Sequence, residues 1–363
     1  MPLRKKVEAL SKTGLWLTAS LMLAGCTLTN TTEEQTTAGD GAPELMVHYI
    51  DAGQADATLF EFGDYTMLID AGDWNAIDVI DYLEAQDISQ IDIAVGTHPD
   101  ADHIGQLAEV IEQFDVSEVW MSGNISTSDT FINALEAIDA SDAAYVEPRA
   151  GEEYELGPLE IDVLYPEEIT GESNAESIAL KLSYGETGFI FTGDAGVQQE
   201  QEMIDSRADL DAEVLQLGHH GSNTSTSRAF LKAVSPEVVI YSAGAGNPYG
   251  HPHAEVIASA ENTGADVFGT DVNGTIIVQT DGETLKVIPA EAGTPVEGEN
   301  RCLDINIASQ AELDQIDGIG EVLASEIIEE RPFENLDELT IVDGIGVGKV
   351  EAIKAQGLAC IGG

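Results

Sequence analysis

The segment "IDIAVGTHPDADHIGQ", Ile91 to Gln106, runs from an apolar stretch into a polar cluster without a gap. The apolar half reads as a buried strand. It hands over to His98, Asp100, Asp102 and His103, four ligand-type side chains within six consecutive positions. A strand that must be buried, ending in groups that need water or a cation, forces one arrangement. The strand end has to open on a loop-rich rim of a layered fold. The whole chain has only seven histidines in 363 residues, so a pair here is unlike chance placement.

The other histidines also gather at segment ends. His219 and His220 lie in "LGHHGS", His251 and His253 in "YGHPH", and Asp194 in "FIFTGDAG" after an apolar run. His48 alone falls inside a strand pattern, where a structural role is expected. Imidazole with carboxylate is a divalent-metal inventory. A spacing of two lets His98 and Asp100 point together, while Asp102 and His103 open the next helix and reach a second ion.

From Leu45 to about Pro289 strand-like and helix-like runs alternate. "ELMVHYIDAG", "DATLFEFG" and "YTMLIDAG" are β-rich and end in glycine turns. "NAIDVIDYLEAQ", "DTFINALEAID" and "HAEVIASAENTG" carry apolar residues at helical spacing, and "ADHIGQLAEVIEQF" reads as a helix begun by its acidic turn. The hairpin-like "GTIIVQTDGETLKVIP", with a turn at Asp281-Gly282, closes this part. The class is α/β or α+β, sheets layered with helices. Residues 290–301 form a Gly/Pro/acid linker. Residues 302–363 contain two related turns, "IDGIGEVLASEII" and "VDGIGVGKVEAI", each opening a helix.

Charge and termini add context. Against 14 Lys+Arg stand 67 Asp+Glu, a formal net charge of −53. So much like charge repels itself unless salt screens it, and the acids are spread over every segment. This is expected of a surface adapted to high salt. At the N-terminus, Arg4, Lys5 and Lys6 precede an apolar run from Gly14 to Ala24 that is short for a membrane span. Residues 1–25 read as an export signal, and its "LAGC" ending resembles a lipobox, which makes Cys26 the expected lipidation site. Residues 26–43, polar and rich in Thr and Glu, read as a flexible tether. Cys302 and Cys360 bracket the C-terminal module, and an even pair in an exported protein invites a disulfide. Closing that loop contributes on the order of 4 kcal/mol.

"THPDADHIGQ" resembles the signature of the metallo-β-lactamase fold, in the HxDxDH form of the ComEC family of competence proteins. "IDAGQADATLF", "LIDAG", "FTGDA", "LGHHGSNTSTS" and "SAGAGNPYGHPHAEV" resemble further segments of that family, in order, over residues 44–289. The resemblance implies an αββα sandwich with two metals in one cleft. His98, Asp100 and Asp194 would hold the first. Asp102, His103, Asp194 and one of His219 and His220 would hold the second. Two departures matter: Asp100 replaces the usual second histidine, and no histidine lies between His103 and His219 to supply the usual third. Oxygen-rich ligation favours Mn²⁺ or Mg²⁺, with Zn²⁺ the alternative. The same departures argue against an antibiotic β-lactamase.

The resemblance further implies metal-activated water attacking a phosphorus or carbonyl centre, with Asp102 among the catalytic groups. Asp70 and Asp51 would orient ligands or substrate. His251 would protonate the leaving oxygen or bind the transition-state phosphate, and Ser222 and Asn247 would donate hydrogen bonds to substrate. The C-terminal module resembles the paired helix-hairpin-helix of ComEA-type DNA-binding proteins. Gly318, Gly320, Gly344 and Gly346 would let helix-start amides approach phosphates without reading sequence, and Lys349 would add charge. The expected whole is a monomeric surface lipoprotein with nuclease or phosphodiesterase activity on extracellular DNA, serving uptake machinery or nutrient recovery. Two alternatives remain: a DNA receptor with weak catalysis, or a phosphodiesterase or esterase for small molecules or cell-wall polymers.

Overall fold

The structure is a computed structural model that describes residues 43–291 and most of residues 303–361. The export signal, Cys26, nearly all of the tether and the Cys302–Cys360 pairing lie outside the described residues.

Two sheets form the larger part. In chain order the strands are β1 (Leu45–Tyr49), β2 (Thr58–Phe62), β3 (Tyr65–Ile69), β4 (Gln90–Gly96), β5 (Asp115–Met121), β6 (Ala144–Val146), β7 (Glu153–Leu156) and β8 (Leu159–Tyr165). Then follow β9 (Ala179–Tyr184), β10 (Thr187–Phe191), β11 (Val214–Gln216), β12 (Val238–Tyr241), β13 (Asp266–Gly269), β14 (Ile276–Thr280) and β15 (Leu285–Pro289). One sheet has the order β15-β14-β1-β2-β3-β4-β5-β6, the other β13-β12-β11-β10-β9-β8-β7. Each is antiparallel on one side and parallel on the other, with β3 to β6 parallel in the first and β10 to β13 in the second. Parallel strands end on one edge, so Asp70, His98, Asp194 and the 218–221 turn all leave strand ends of the parallel halves. This is why residues far apart in sequence meet.

The layers follow from which faces are apolar. Between the sheets, Phe60 meets Phe189 and Phe191 edge-on, with ring centroids 5.9 and 5.6 Å apart, and Trp120 and Tyr49 are fully buried in the same core. Outside the first sheet, α1 (Asp78–Ala85), α2 (Leu107–Gln113) and α3 (Asp129–Ala140) cover a second apolar cluster. Outside the other, α4 (Val197–Ser206), α5 (Arg228–Val234) and α6 (Ala254–Glu261) cover a third. The result is the αββα sandwich. Ser128 and Ser227 cap α3 and α5 by accepting from Phe131 N and Phe230 N, each at 3.2 Å.

One sequence expectation shifts. The acidic turn of the signature does not open a helix; α2 starts only at Leu107. Residues 103–106 are instead stitched to the segment after β3, with Ala71 N donating to His103 O, Gly105 N to Gly72 O and Gln106 N to Ala71 O. Gly105 permits this approach: a Cβ there would lie 2.2 Å from backbone atoms of Asp73 and Trp74. Gln106 then caps α1, its Oε1 accepting from Val79 N and Ile80 N at 3.1 and 3.2 Å.

The C-terminal module pairs α7 (Gln310–Leu313) and α8 (Glu321–Glu330) with α9 (Val347–Ala355) around Ile316, Ile319, Ile327, Ile345 and Ile353. Its two Gly-Ile-Gly turns are alike. Gly318 and Gly344 adopt φ +90° and +89°, a left-handed region suited to glycine. The carbonyls of Gly320 and Gly346 accept the first helical amides, from Ala324 and Val350. A Cβ on Gly318 would touch Lys349, and one on Gly344 would touch Leu323. Each turn therefore leans on the helix of the other hairpin. Among the described residues no helix is long and apolar enough to cross a membrane.

Candidate metal centre

Asp194 stands at the middle of the cluster. Its Oδ1 lies 3.2 Å from His103 Nε2, and its Oδ2 lies 3.6 Å from His98 Nε2 and 3.4 Å from His219 Nε2. On the other side of His103, Asp102 Oδ2 is 3.4 Å from His220 Nε2. Ligand atoms of His98, His103 and Asp194 all fall within 4.8 Å of one another, as do those of Asp102, His103 and His220. His103 thus belongs to both groups, a sharing that sequence spacing does not reveal. Both histidines of the 219–220 pair contribute, each against a different carboxylate. Asp100 is the outlying member: it is half-exposed, 3.8 Å from His98 Nε2, and takes a long 3.4 Å bond from Ser173 Oγ.

The donor set fits a divalent cation. His98 Nε2, His103 Nε2, His220 Nε2 and Asp194 Oδ1 are buried without a hydrogen-bond partner. Orphaned buried polar atoms are costly; His98 Nε2, His103 Nε2 and Asp194 Oδ1 converge on one point and His220 Nε2 joins His103 at a second, and both arrangements suit a cation. Their opposite ring atoms are held. His103 Nδ1 donates to Asp70 Oδ2 at 2.8 Å, which aims its Nε2 at the cluster. His220 Nδ1 bonds Ser242 O at 3.1 Å and lies 3.3 Å from Asp56 Oδ1.

The electrostatics follow from burial and crowding. Burial and the neighbouring His103 charge take the His98 ring down to about 3, so it stays neutral. Burial also pulls on His220, but the neighbouring Asp56, Asp102 and Asp194 carboxylates outweigh it and lift the ring to about 10. His103 is raised likewise, because Asp194 and Asp70 outweigh its burial. Asp194, although buried, is held well below the usual carboxylate range by His103 and His98.

The backbone is forced to make this site. His219 and His220 adopt φ +52° and +56°, and Asp70 +59°, all left-handed and unfavourable for non-glycine residues. Surrounding bonds hold them: His219 N donates to Gly193 O, and Gly218 N to Thr226 Oγ1, both at 3.0 Å. Buried Glu200 braces the same loop by accepting from Thr226 N and from Ser227 N. Glu200→Ala orphans both amides, and each unsatisfied group costs about 1–3 kcal/mol. Denaturant unfolding should therefore show a loss of roughly 2–6 kcal/mol; a midpoint unchanged from the parent would contradict this role.

Four residues sit differently from expectation. Asp70, expected among the catalytic groups and as an orienting residue, is buried behind His103 with Thr97 N and Thr97 Oγ1 also donating to it, a place from which it orients His103. Asp51 faces elsewhere. It accepts from Gly53 N, its amide donates to Thr275 Oγ1, and its charge neighbours are Asp78 and Glu291. Asn247 spends its amide on its own loop, donating to Gly244 O and His251 O and accepting from Tyr249 N and His251 N. Ser222 is buried and accepts from Thr224 Oγ1 at 3.0 Å within the histidine loop. His251 does reach the site, its ring centroid 5.5 Å from His219 and 6.2 Å from His220.

Three contributors were missed. Asp56 buttresses His220. Gln54 binds Gly244 N through Oε1 at 3.0 Å, which turns its Nε2 toward His251 Nδ1 at 3.4 Å. Asn174 Nδ2 donates to Asp194 Oδ2 at 2.9 Å. Asp56 and Gln54 both belong to "DAGQADA", a segment that carries the family resemblance, so the sequence does signal them. Nothing in the local sequence marks Asn174.

Comparison with known proteins agrees with this geometry. The signature of the metallo-beta-lactamase superfamily matches residues 50–245, more than half of the chain. The chain belongs to the metallo-beta-lactamase superfamily. A helix-hairpin-helix signature matches residues 299–356, so the superfamily domain is followed by the second module read from the glycine turns. The chain is 33% identical to the ComE operon protein 3 of Bacillus subtilis over 199 residues, 54% of this chain and 26% of that protein. It is 28% identical to the competence protein ComA of Neisseria gonorrhoeae over 237 residues, 64% of this chain and 32% of that one. It is also 44% identical to a deoxyribonuclease of a Thioalkalivibrio species over 63 residues, 17% of this chain and 18% of the relative. The chain therefore spans about a quarter to a third of the length of these competence relatives.

Proposed function

We propose that this metallo-beta-lactamase-fold hydrolase is a metal-dependent phosphodiesterase that cuts DNA, exported and tethered through a lipid on Cys26. The observation that carries the reading is the convergence of two buried, unpartnered imidazole nitrogens, of His98 and His103, on Asp194, with a third, of His220, beside Asp102. His98, His103, His219 and Asp194, with Asp100 alongside, would hold one ion; Asp102, His103 and His220 mark the second position. When bound, such ions supply Lewis acidity and an activated water for phosphodiester hydrolysis. The preference for Mn²⁺ or Mg²⁺ over Zn²⁺ rests on Asp100, a carboxylate where the usual signature has a second histidine.

The chain's own residues supply orientation. Asp70, Asp56 and Asn174 hold His103, His220 and Asp194 in place. Gln54 presents a donor to His251 Nδ1, so the His251 proton sits on Nε2, free to donate to a phosphate oxygen or to the leaving oxygen. The helix-hairpin-helix module would hold the DNA backbone through amides near Gly320 and Gly346, with Lys349 adding one charge. The export reading rests on the "LAGC" segment, and the acidic surface suits molar salt. A DNA-handling role is supported by the competence relatives and the deoxyribonuclease match.

The test is incubation of the purified chain with plasmid and linear DNA in molar salt, with Mn²⁺ or with EDTA. Metal-dependent loss of DNA is expected. DNA retained on the protein but intact with every metal would instead mean a receptor, and activity with Zn²⁺ alone would overturn the metal preference.

A further inference from the structure

An acidic protein in high salt gains little from phosphate contacts, because counterion release weakens steeply with ionic strength. Substrate affinity beyond that of the metal ions must then come largely from contacts that carry no charge. The exposed aromatic residues among those described are Tyr65 (38%), Trp74 (64%), Tyr145 (44%) and Tyr249 (66%). The two most exposed belong to loops tied to the metal centre, Trp74 by its backbone and Tyr249 by its ring, and the other two are engaged elsewhere. Tyr65 stacks on Phe62, and Tyr145 donates to Glu147 Oε1.

Trp74 belongs to the segment that follows Asp70. Its amide donates to Ala101 O at 3.1 Å, between Asp100 and Asp102 of the signature. Tyr249 stands on the other sheet's loop, its ring stacked on His251 with centroids 5.7 Å apart and planes 27° apart. His251 in turn packs on His219. Each aromatic is thus one residue removed from a group of the cluster, and they approach it from different sheets. Leaving two such rings in water gains nothing for the fold, and neither has a core to fill.

We propose that Trp74 and Tyr249 are base-stacking residues that grip the nucleobases on either side of the scissile phosphate, which makes the substrate a nucleic acid with unpaired bases: a single strand, or a frayed end. This rests on the phosphodiesterase reading and specifies its substrate. Base–aromatic stacking contributes about 1–3 kcal/mol per base, tolerates any sequence, and does not depend on counterions. Bases in an intact duplex are stacked on each other and cannot take up these rings.

The experiment reads Trp74 directly in the full chain. Tryptophan fluorescence is titrated with a single-stranded oligothymidylate, and with an abasic oligonucleotide of equal length, with Ca²⁺ in place of a catalysing ion and in molar salt. Of the other tryptophans, Trp120 is buried in the core and Trp16 lies in the export signal. Quenching by the base-bearing strand alone is expected, lost in Trp74→Phe and shifted to about tenfold higher concentration in Tyr249→Ala, within the range of one stacked base. Equal quenching by the abasic strand, or none by either, overturns the stacking assignment. Because the readout needs no cleavage, quenching without any Mn²⁺-dependent cutting would refute the nuclease reading and leave the stacking rim standing. Cutting with no base-dependent quenching would do the reverse.

Discussion

Asp194→Ala should remove metal-dependent cleavage almost completely. Asp194 is the carboxylate that His98, His103 and His219 all face, at 3.2 to 3.6 Å. Its loss leaves three imidazoles with no shared anion to gather a cation between them. A bound metal contributes several kcal/mol to the transition state, and about 1.4 kcal/mol is a factor of ten in rate. A fall of roughly 10³-fold or more is therefore expected. The measurement is the initial rate on a labelled oligonucleotide across a Mn²⁺ series, with thermal unfolding alongside. Removing one member of a buried charge pair costs about 3–5 kcal/mol, so a lower unfolding midpoint is expected and the rate is read below it. A folded variant that keeps a rate within tenfold of the parent would show that the cluster is not the reacting centre.

The second large effect concerns protons. In the metal-free site the His220 ring is lifted to about 10 and His103 is raised as well, so both carry protons at neutral pH. A cation can take their Nε2 atoms only by displacing those protons. Metal affinity should rise with pH, and calorimetry in buffers of different ionisation enthalpy should register about two protons released per loaded chain. Asp70→Asn removes the carboxylate that orients His103, and a change of this kind typically costs 10–100-fold in metal affinity. Pure electrostatic crowding would give a pH-dependent affinity without that sensitivity to Asp70.

The same shifts set the pH dependence of folding without metal, and their signs oppose. His220, raised above its unfolded value, contributes stability below about pH 6.5 that is lost as pH climbs towards 10. His98, lowered to about 3, costs stability as pH falls below 6.5, because the unfolded chain takes up the proton first. A metal-free chain should accordingly lose stability in both directions away from neutrality.

The layered fold was legible because its strands are apolar runs of ordinary length with glycine turns, and because histidines are scarce enough for each to be informative. His98, His103, Asp194, His219 and His220 all come together from that reading. Residues whose meaning depends on distance in the folded chain were not legible. Asp56 and Gln54 are common side chains in a strand-connecting loop, and only the return of the 218–221 turn and the 244–251 loop gives them partners. Asp51 and Asp56 lie five positions apart in one irregular loop, yet the Asp51 carboxylate accepts from Gly53 N while the Asp56 carboxylate lies beside His220 Nδ1. Asn247 carried the right chemistry for substrate, but four backbone partners in its own loop use it up. The start of α2 was misplaced because backbone pairing with Ala71 and Gly72 competed with helix formation, a contest that no local periodicity records.

The most direct test is to count the ions. Equilibrium dialysis of the full chain against Mn²⁺ in molar salt should give two ions per chain, bound more tightly as pH rises, with the binding lost in an Asp194→Ala, His103→Ala double variant. Binding of no Mn²⁺ by the parent chain, or unaltered binding by the folded double variant, would contradict a two-metal hydrolytic centre built on these residues.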